Sequence, residues 1–425
     1  MARWPKPAEG SWTEHFQLDT KPVNYHDSIS PEVYELEREA IFKRAWLNVG
    51  RVEQLPRKGS YFTKNIEITK NSVIIVRSGE GDEGVRAFHN VCRHRGNKLV
   101  WDDFPRDETA GNCRQFTCKY HAWRYNLDGS LNYVQQEGEF FDLNKEGLGL
   151  VPVHCDVWAG FIFINLAKEP EQSLLDFLGP MVTNLEGYPF DRMTERRAYK
   201  TEIGSNWKLF MDAFAEFYHA PILHASQTPE KFAKLAAQAG FEAPHYQVDG
   251  WHRLVSTSGI VIWELEKEMR KPMEDATRSG LFGPWDKPDL GEMPPGVNPA
   301  KCKPWGLDSF QIWPNWVILI WEHGWYLTYH YWPTSHNTHV FEGNLYFIPP
   351  KTARERIAQE MTAATFKEYA LQDATTLEAT QASLESLAVT EFPLNDQEVL
   401  CRHLHDTASD WIEEYQQSRV KVDTP

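Results

Sequence analysis

Two short segments of this chain each pair a cysteine with a histidine: Cys92 with His94, and Cys118 with His121. Together they offer two thiolates and two imidazoles. That is the ligand set of a Rieske-type [2Fe–2S] cluster, in which two histidines replace two cysteines on one iron. Because imidazole is neutral, such a cluster has a higher reduction potential than one held by four thiolates. The two segments therefore predict a one-electron redox centre.

A third cysteine is the alternative ligand to Cys118. Cys113 lies shortly before it in the chain, but only Cys118 is followed three residues later by a histidine. That spacing favours Cys118. The other cysteines, Cys155, Cys302 and Cys401, are scattered, and a reducing compartment would keep them as thiols.

A second group of candidate metal ligands occurs further along the chain. On a helix, Asp212, Glu216 and His219 would share one stripe because they are four and three residues apart. His219 and His224 would point roughly 140° apart on an unbroken helix. Pro221 lies between these two histidines and can break the helix, which would bring the two rings together.

A third ligand is predicted on a long helix near the end of the chain. Asp373 lies in the middle of its apolar stripe, where a carboxylate is costly unless it is paired or bound to a metal. A lone buried aspartate more often pairs with the backbone or an arginine. Beside His219 and His224, Asp373 completes the two-histidine, one-carboxylate triad of non-haem Fe(II) oxygenases. The apolar members of the stripe are Phe366, Ala370, Leu377 and Leu384.

Different kinds of element must position these two groups. Short β-rich runs separated by turn residues fill about 50–165, whereas the chain after 166 mixes strands and helices. The pattern predicts helices over 31–47, 205–220, 351–388 and 396–417, a long loop or lid over 272–306, and strands over 310–313, 317–321, 326–332 and 340–347.

Charge and composition narrow the function. The chain has 425 residues and a net charge of −16, which argues against nucleic acid as a partner. Its apolar runs are too short to cross a membrane, and its first residues lack the apolar core of a secretory signal, so a cytoplasmic location is expected. No Gly-X-Gly-X-X-Gly follows a strand, so electrons from NAD(P)H would need a separate reductase.

The motifs resemble those of Rieske non-haem iron oxygenase α subunits. The Cys-X-His and Cys-X2-His pairs with Trp123 nearby resemble the Rieske signature of that family. The mononuclear-iron signature is resembled by Asn206, Trp207, Lys208, Asp212, Glu216, Tyr218, His219 and His224, and the later carboxylate segment by Asp373, Glu378 and Gln381. The resemblance covers nearly the whole chain.

The resemblance implies an α+β fold with three parts. These are an N-terminal helical arm packing on the catalytic domain (1–48), an all-β Rieske domain (49–165) and a helix-grip catalytic domain (166–425). It also implies a head-to-tail homotrimer, with a β subunit as a further option. Glu216 would then bridge His121 of one chain and His219 of the next, and Asp212 and Glu216 are the candidate catalytic residues.

Two departures from the family pattern bear on the reaction. Glu216 stands where ring-dihydroxylating members usually have Asp, and Ala213 where many have Asn. The spacing from Asp212 to Glu216 also resembles that of the demethylase and monooxygenase branches. Together these features favour hydroxylation or oxidative dealkylation. With a reductase, and a ferredoxin where one is used, the chain would oxidise a small apolar substrate with O2. No cationic pair is placed to grip a carboxylate, so a neutral aromatic or polycyclic compound is the preferred substrate. The expected pocket residues are Phe210, Met211, Phe214 and Trp321.

Two other functions are compatible with parts of the pattern. The chain could be a Rieske electron carrier without a catalytic iron, although such a carrier would not need the long C-terminal half. Alternatively, the cysteines and histidines could bind structural zinc, with a hydrophobic-ligand carrier attached. A Rieske cluster absorbs visible light and zinc does not, so colour separates the zinc alternative.

Overall fold

A computed structural model gives the structure of the chain and describes residues 4, 6–102, 107–224, 243–258, 272–280 and 282–422. The described residues form two compact units. One, the inserted unit, runs from Phe42 to Phe177. The other, the outer unit, takes the residues up to Ile41 together with those from Leu178 onward. The inserted unit therefore interrupts the outer unit in the sequence.

The strands are numbered in chain order: β1 Val23–Asn24, β2 Trp46–Arg51, β3 Ser60–Ile66, β4 Asn71–Arg77, β5 Val85–His89, β6 Ala110–Asn112, β7 Phe116–Thr117, β8 Arg124–Tyr125, β9 Leu131–Tyr133, β10 Pro152–Trp158, β11 Phe161–Asn165, β12 Glu195–Ile203, β13 His245–Asp249, β14 His252–Ser258, β15 Ser279–Gly280, β16 Gly283–Pro284, β17 Trp305–Ile312, β18 Trp316–Trp321, β19 Trp325–Ser335, β20 Thr338–Phe347 and β21 Glu391–Phe392. The helices are α1 Trp12–His15, α2 Pro31–Glu37, α3 Leu174–Thr183, α4 Trp207–Asp212, α5 Ala220–Leu223, α6 Pro272–Thr277, α7 Ala353–Leu384 and α8 Val399–Val422.

The inserted unit is built from β-strands. Seven of them form an antiparallel sheet in the order β2-β11-β10-β5-β4-β3-β6, and β7-β8-β9 form a small second sheet. A buried apolar cluster that includes Phe88, Phe116, Trp123 and Tyr125 fills the unit. Cys92 and Cys118 belong to the same cluster, so the two cysteine segments begin on a packed core.

The outer unit is organised by a seven-stranded antiparallel sheet with the order β12-β20-β19-β18-β17-β14-β13. Its central strand β18 reads Trp-Val-Ile-Leu-Ile-Trp and is buried along its whole length, as expected for β-branched and aromatic residues covered on both faces. The tight turn into β19 uses Gly324, whose φ of 81° favours glycine. The predicted α+β fold class is confirmed.

Helix α7 presents one face to the interior of the outer unit. Thr352 caps its start by accepting a hydrogen bond from the backbone nitrogen of Glu355 at 3.2 Å. Its buried positions recur at helical spacing and include Ala358, Thr362, Phe366, Ala370, Asp373, Gln381 and Leu384. Asp373 is therefore a core position of α7, which makes its charge the feature to explain.

Three predicted segments differ from the structure. The helix predicted over 31–47 ends at Glu37, continues as one turn of π-helix over Arg38–Phe42, and gives way to β2. The predicted helix over 205–220 is two short helices, α4 and α5. The loop or lid predicted over 272–306 contains α6, β15 and β16, and its residue 281 lies outside the described residues.

Across the described ranges, no helix is both long and apolar enough to span a bilayer.

Candidate redox and metal sites

The two cysteine segments of the inserted unit are tight turns closed by backbone hydrogen bonds. The nitrogen of Cys92 donates to the carbonyl of Asn97 at 2.8 Å, and that of Gly96 donates back to Cys92 at 3.0 Å. In the second segment, Cys118 donates to Trp123 at 2.8 Å, and Ala122 to Cys118 at 3.0 Å. Each loop is therefore fixed at its cysteine before any ligand binds.

The four predicted ligands converge between these turns. Cys92 and Cys118 are each 2% exposed, and their thiols interact directly. The rings of His94 and His121 lie 4.6 Å apart. Both Nδ1 atoms are buried and have no hydrogen-bond partner among the described residues. Two facing thiols beside two unpartnered imidazole nitrogens fit a [2Fe–2S] cluster with histidines on one iron.

Cys113 contributes to the core instead. Its nitrogen bonds to the carbonyl of Gly59 at 2.9 Å, its side chain packs against the inserted unit's apolar cluster, and burial raises the pKa of its thiol to about 11. The thiol that faces Cys92 is that of Cys118. The geometry therefore favours Cys118 as the ligand.

Aromatic side chains enclose the two histidines. Trp123 stacks on His94 at 4.9 Å, and Tyr120 lies over His121 at 3.8 Å. Tyr120 is 53% exposed, so the His121 side of the site approaches the surface. The hydroxyl of Tyr125 accepts from the backbone nitrogen of Arg93 at 3.0 Å and lies 3.3 Å from Cys92 Sγ, where it can donate. Hydrogen bonds to cluster ligands tune the reduction potential.

The metal-binding segment of the outer unit begins with α4. Asn206 caps this helix by accepting from the nitrogen of Lys208 at 2.9 Å. Trp207 Nε1 donates to Glu37 at 3.0 Å, and the fully buried ammonium of Lys208 pairs with the same carboxylate. The Asn-Trp-Lys motif thus caps and anchors the helix that leads to the metal site.

The single helical stripe predicted for Asp212, Glu216 and His219 is wrong. Helix α4 ends at Asp212 and tightens into three-residue turns, and the Glu216 carboxylate then accepts from the backbone nitrogens of Tyr218 and His219. His219 and His224 flank the short helix α5, and their rings lie 5.3 Å apart. The break predicted at Pro221 is wrong, because Pro221 lies in the first turn of α5 and the interruption comes before that helix, after Asp212.

Asp373 reaches the same point from α7. One ligand atom from each of His219, His224 and Asp373 lies within 4.8 Å of the other two. Asp373 Oδ1 is 3.7 Å from Nε2 of His219 and 3.5 Å from Nε2 of His224. This oxygen is buried and has no hydrogen-bond partner in the part of the chain that the structure describes. The donor set therefore fits a divalent iron.

Two hydrogen bonds aim the histidines at this point. His219 Nδ1 donates to Glu216 Oε1 at 2.5 Å, and His224 Nδ1 donates to Gln372 Oε1 at 2.7 Å. Each bond leaves the Nε2 lone pair facing Asp373. Gln372 was not identified from the sequence, although its position directly before Asp373 was available as a signal.

Burial dominates the electrostatics of the site. It raises the pKa of Asp373 to about 7, with His219 opposing the shift and Glu216 adding to it. Burial also lowers the pKa of His224, whereas at His219 the carboxylates of Glu216 and Asp373 together outweigh burial and raise the pKa. Since metal ligands bind in their deprotonated forms, a cation here would repay the cost of ionising Asp373.

An aromatic cavity of about 910 Å³, part of it open to solvent, adjoins the three ligands. Of the expected pocket residues, Phe214 and Trp321 line this cavity, whereas Phe210 and Met211 do not. Both are fully buried in the core, where Phe210 packs against Tyr331, His339 and Phe341. The lining aromatics are Phe214, Phe217, Phe282, Trp321, Tyr329, Phe366 and Tyr369.

Asp212 lies outside the group of three ligands. Its Oδ2 is 3.1 Å from Nε2 of His405, and Nδ1 of His405 is 2.7 Å from Oδ2 of Asp27. The sequence contains no signal for this contact.

Comparisons with known proteins match both units. The model of the Rieske [2Fe–2S] domain matches residues 45–150, and that of the ring hydroxylating α subunit catalytic domain matches residues 190–414. The glycine betaine monooxygenase oxygenase subunit of Chromohalobacter salexigens is 38% identical over 46% of this chain and 41% of its own length. The corresponding subunit of Pseudomonas aeruginosa is 36% identical over 66% of this chain and 68% of its own length.

Solved structures share the fold. A quaternary ammonium Rieske monooxygenase superposes with a TM-score of 0.70 at 19% identity, covering 96% of this chain and 99% of that one. Naphthalene 1,2-dioxygenase from Rhodococcus sp. superposes with a TM-score of 0.65 at 20% identity, covering 92% of this chain and 94% of that one. These similarities show the fold of both units.

Replacing Tyr125 with phenylalanine is expected to lower the reduction potential of the cluster. The hydroxyl bond to Cys92 stabilises the more negative reduced form, and losing one such bond is worth on the order of tens of millivolts. Potentiometric titration followed by EPR measures the shift. Tyr133→Phe on the neighbouring strand is the control and should leave the potential unchanged; an equal shift in both variants would contradict the assignment.

Replacing Asp373 with asparagine is expected to remove the mononuclear iron and to stabilise the metal-free protein at pH 8. Wild-type protein should hold about three irons and two sulfides per chain, and the variant about two irons. A folded-state pKa raised from 3.8 to about 7 destabilises the ionised form by up to ~4 kcal/mol at pH 8, and this term shrinks as the pH falls through 7 toward 4.

Urea unfolding of chelator-treated protein at pH 8 and pH 5 measures this stability, and iron and sulfide analysis measures the metal content. Glu368→Gln, an exposed position on the same helix, is the control and should retain all three irons. A less stable metal-free Asp373→Asn variant at pH 8, or full iron retention, would contradict the assignment.

Proposed function

Because this chain belongs to the family of Rieske-type ring-hydroxylating oxygenase α subunits, we propose that it is a terminal oxygenase for a small quaternary ammonium compound. In this proposal O2 is the oxidant, and electrons from NAD(P)H arrive through a separate reductase, with or without a ferredoxin. The reaction is a monooxygenation, with oxidative N-dealkylation as its outcome when the attacked carbon is bonded to nitrogen. The observation that carries the proposal is the aromatic cavity beside the three candidate iron ligands.

The lining of that cavity suits a methylated cation. Seven aromatic rings line it, and a cation over such a ring gains about 0.5–2 kcal/mol from each well-placed face. Asp373 is the acidic residue of the described lining, which contains no lysine or arginine. The methyl groups of a quaternary ammonium ion need no hydrogen bonds, so an apolar wall is no penalty to them.

The names of several relatives point to the same class. Besides the two glycine betaine proteins, a carnitine monooxygenase oxygenase subunit of Acinetobacter pittii is 31% identical over 46% of this chain, and a choline monooxygenase of Beta vulgaris is 32% identical over 46%. The preference for a neutral aromatic or polycyclic substrate, drawn from the sequence, finds no support among these relatives. The net charge of −16 also favours a cation over an anion.

The chain's own residues have separate tasks in this proposal. His219, His224 and Asp373 hold Fe(II), and Cys92, His94, Cys118 and His121 hold the cluster. When bound, these groups supply the electron transfer and the activation of O2. Glu216 and Gln372 keep each imidazole in the tautomer that leaves Nε2 free for the metal. The aromatic walls exclude water and place a methyl group next to the metal position.

The electron path is proposed to cross between copies of the chain. In a homotrimer, Glu216 would link His219 to His121 of a neighbouring copy. Glu216 is only 8% exposed and already bonds His219, and the adjacent Tyr218 and Ile222 are 55% and 71% exposed. Large apolar side chains exposed beside a buried carboxylate suit a surface that another subunit covers. A β subunit remains an optional partner in this proposal.

Replacing the substrate's charge while keeping its shape tests the substrate class. Choline and its carbon analogue 3,3-dimethyl-1-butanol differ in charge at nearly equal size. We expect the neutral analogue to bind and turn over at least about fivefold less well, because it loses the cation–π contribution. Binding is measured by the shift in the mononuclear-iron spectrum, and turnover by product analysis with betaine, carnitine and naphthalene in the same panel. Naphthalene as the sole substrate would overturn the proposal.

Replacing Glu216 with glutamine tests the electron path. The variant should bind iron but transfer electrons from the reduced cluster about 10–100-fold more slowly, the usual effect of losing an outer partner of a metal-bound histidine. Stopped-flow reoxidation of the reduced cluster by O2 with substrate present measures the rate. Glu202→Gln, an exposed position on β12, serves as the control. Reoxidation at the wild-type rate in Glu216→Gln would remove Glu216 from the path.

A further inference from the structure

The hydroxyl groups that line the aromatic cavity differ in their hydrogen bonding. The cavity contains two tyrosines, Tyr329 and Tyr369. The hydroxyl of Tyr329 lies 3.4 Å from that of Tyr199, so these two groups are paired with each other. Thr257, which also lines the cavity, accepts from the backbone nitrogen of Leu307 at 3.1 Å. The hydroxyl of Tyr369, by contrast, has no hydrogen-bond partner in the described parts of the chain.

The ring of Tyr369 is held beside the metal site. Tyr369 lies one turn before Asp373 on α7, so the two side chains share a face of the helix. Its ring meets that of His224 edge-on at 4.9 Å and that of Phe366 at 5.5 Å. Such edge-to-face contacts restrict an aromatic ring. The hydroxyl therefore has a defined place relative to the metal ligands.

The Tyr369 hydroxyl is a hydrogen-bond donor in this environment. Burial raises the pKa of the Tyr369 phenol, and the carboxylate of Glu368 adds to the shift. The phenol therefore keeps its proton at neutral pH. A neutral phenol can donate its O–H to an oxygen acceptor on a ligand.

A ligand that fills the cavity displaces water from this hydroxyl. Where the ligand presents an alkyl group, the hydroxyl loses its partner and gains none, which costs free energy. Where the ligand presents an oxygen, the bond to water is exchanged for a bond to the ligand. A polar group in an apolar pocket thus discriminates mainly against ligands that lack its partner.

We propose that Tyr369 is a specificity-determining residue that selects quaternary ammonium compounds carrying an oxygen, by donating a hydrogen bond to that oxygen. The inference rests on the proposed function and adds a requirement on its substrate. The aromatic walls bind the methylated cation, and a hydroxyl or carboxylate oxygen of the same molecule accepts from Tyr369. His219, His224 and Asp373 face one another as candidate iron ligands, so they are committed to the metal.

The test compares choline with n-propyltrimethylammonium, in which a methyl group replaces the hydroxyl. Isothermal titration calorimetry under anaerobic conditions gives both dissociation constants for protein that holds its cluster and iron. In Tyr369→Phe, the dissociation constant of the analogue divided by that of choline should fall at least about threefold from its wild-type value, because only choline loses a hydrogen bond.

The matched control is Tyr331→Phe. Tyr331 is a fully buried tyrosine that packs against Phe210, and it is not among the described residues that line the cavity. Removing its hydroxyl changes the same atom of the same residue type at a place that the ligand does not reach. The ratio of the two dissociation constants should therefore stay at the wild-type value.

An unchanged ratio in folded Tyr369→Phe would overturn the proposal. If both ligands then bind as in wild type, the hydroxyl has no part in recognition; if both bind more weakly by the same factor, the residue has a structural role. If Tyr369→Phe does not fold, Tyr369→Met also lacks the hydroxyl. The loss of the ring weakens both ligands in that variant, and the ratio should still fall at least about threefold.

Glycine betaine identifies the accepting oxygen. Hydrogen bonds to ionised acceptors are about twice as strong as those between neutral groups. A larger loss of affinity for glycine betaine than for choline in Tyr369→Phe would assign a carboxylate acceptor, and a larger loss for choline would assign a hydroxyl; either result supports the proposal.

The same titrations separate this inference from the proposed function. Failure of choline, glycine betaine and n-propyltrimethylammonium to bind wild-type protein would defeat the proposed function and this inference with it. Binding of all three compounds, with an unchanged ratio in Tyr369→Phe, would defeat the inference alone.

Discussion

The structure of the outer unit depends on one buried carboxylate facing two imidazoles. Asp373 is 2% exposed on a core position of α7, and its pKa is raised to about 7 by burial and by the nearby Glu216. Such a group is stable as an anion only next to positive charge. The surrounding elements position these three groups. Helix α7 carries the carboxylate, the two histidines flank α5, and Glu216 and Gln372 orient the histidine rings. The site is electrostatically complete only with a cation.

The segment before Ile41 belongs to this site as much as the helices do. Its Glu37 and Asp27 meet Lys208 on α4, whose ammonium is fully buried. Removing any one of these three side chains leaves an unpaired buried charge, which destabilises the fold. The buried charges thereby couple the N-terminal segment to the geometry of the residues that follow α4, including both histidines.

The sequence-based predictions that agree with the structure are those that depend on the spacing of nearby residues. The apolar runs predicted strands close to β17–β20, and the helical stripe placed Asp373 in the core. The errors come from longer-range effects. Helix α4 ends at Asp212, and the Glu216 side chain then accepts from the backbone nitrogens of Tyr218 and His219. His405 meets Asp27 across 378 residues of sequence, a contact that no local pattern encodes.

The order in which the two units can fold during synthesis follows from the way they divide the chain. Residues 42–177 are contiguous, whereas the outer unit needs both Lys208 with its partners before residue 41 and His405 near the end. Since domains generally fold as units and the N-terminal parts emerge first, the redox unit can mature on a nascent chain whose iron centre does not yet exist. Translation that stops early after Phe177 would leave an electron donor without its acceptor.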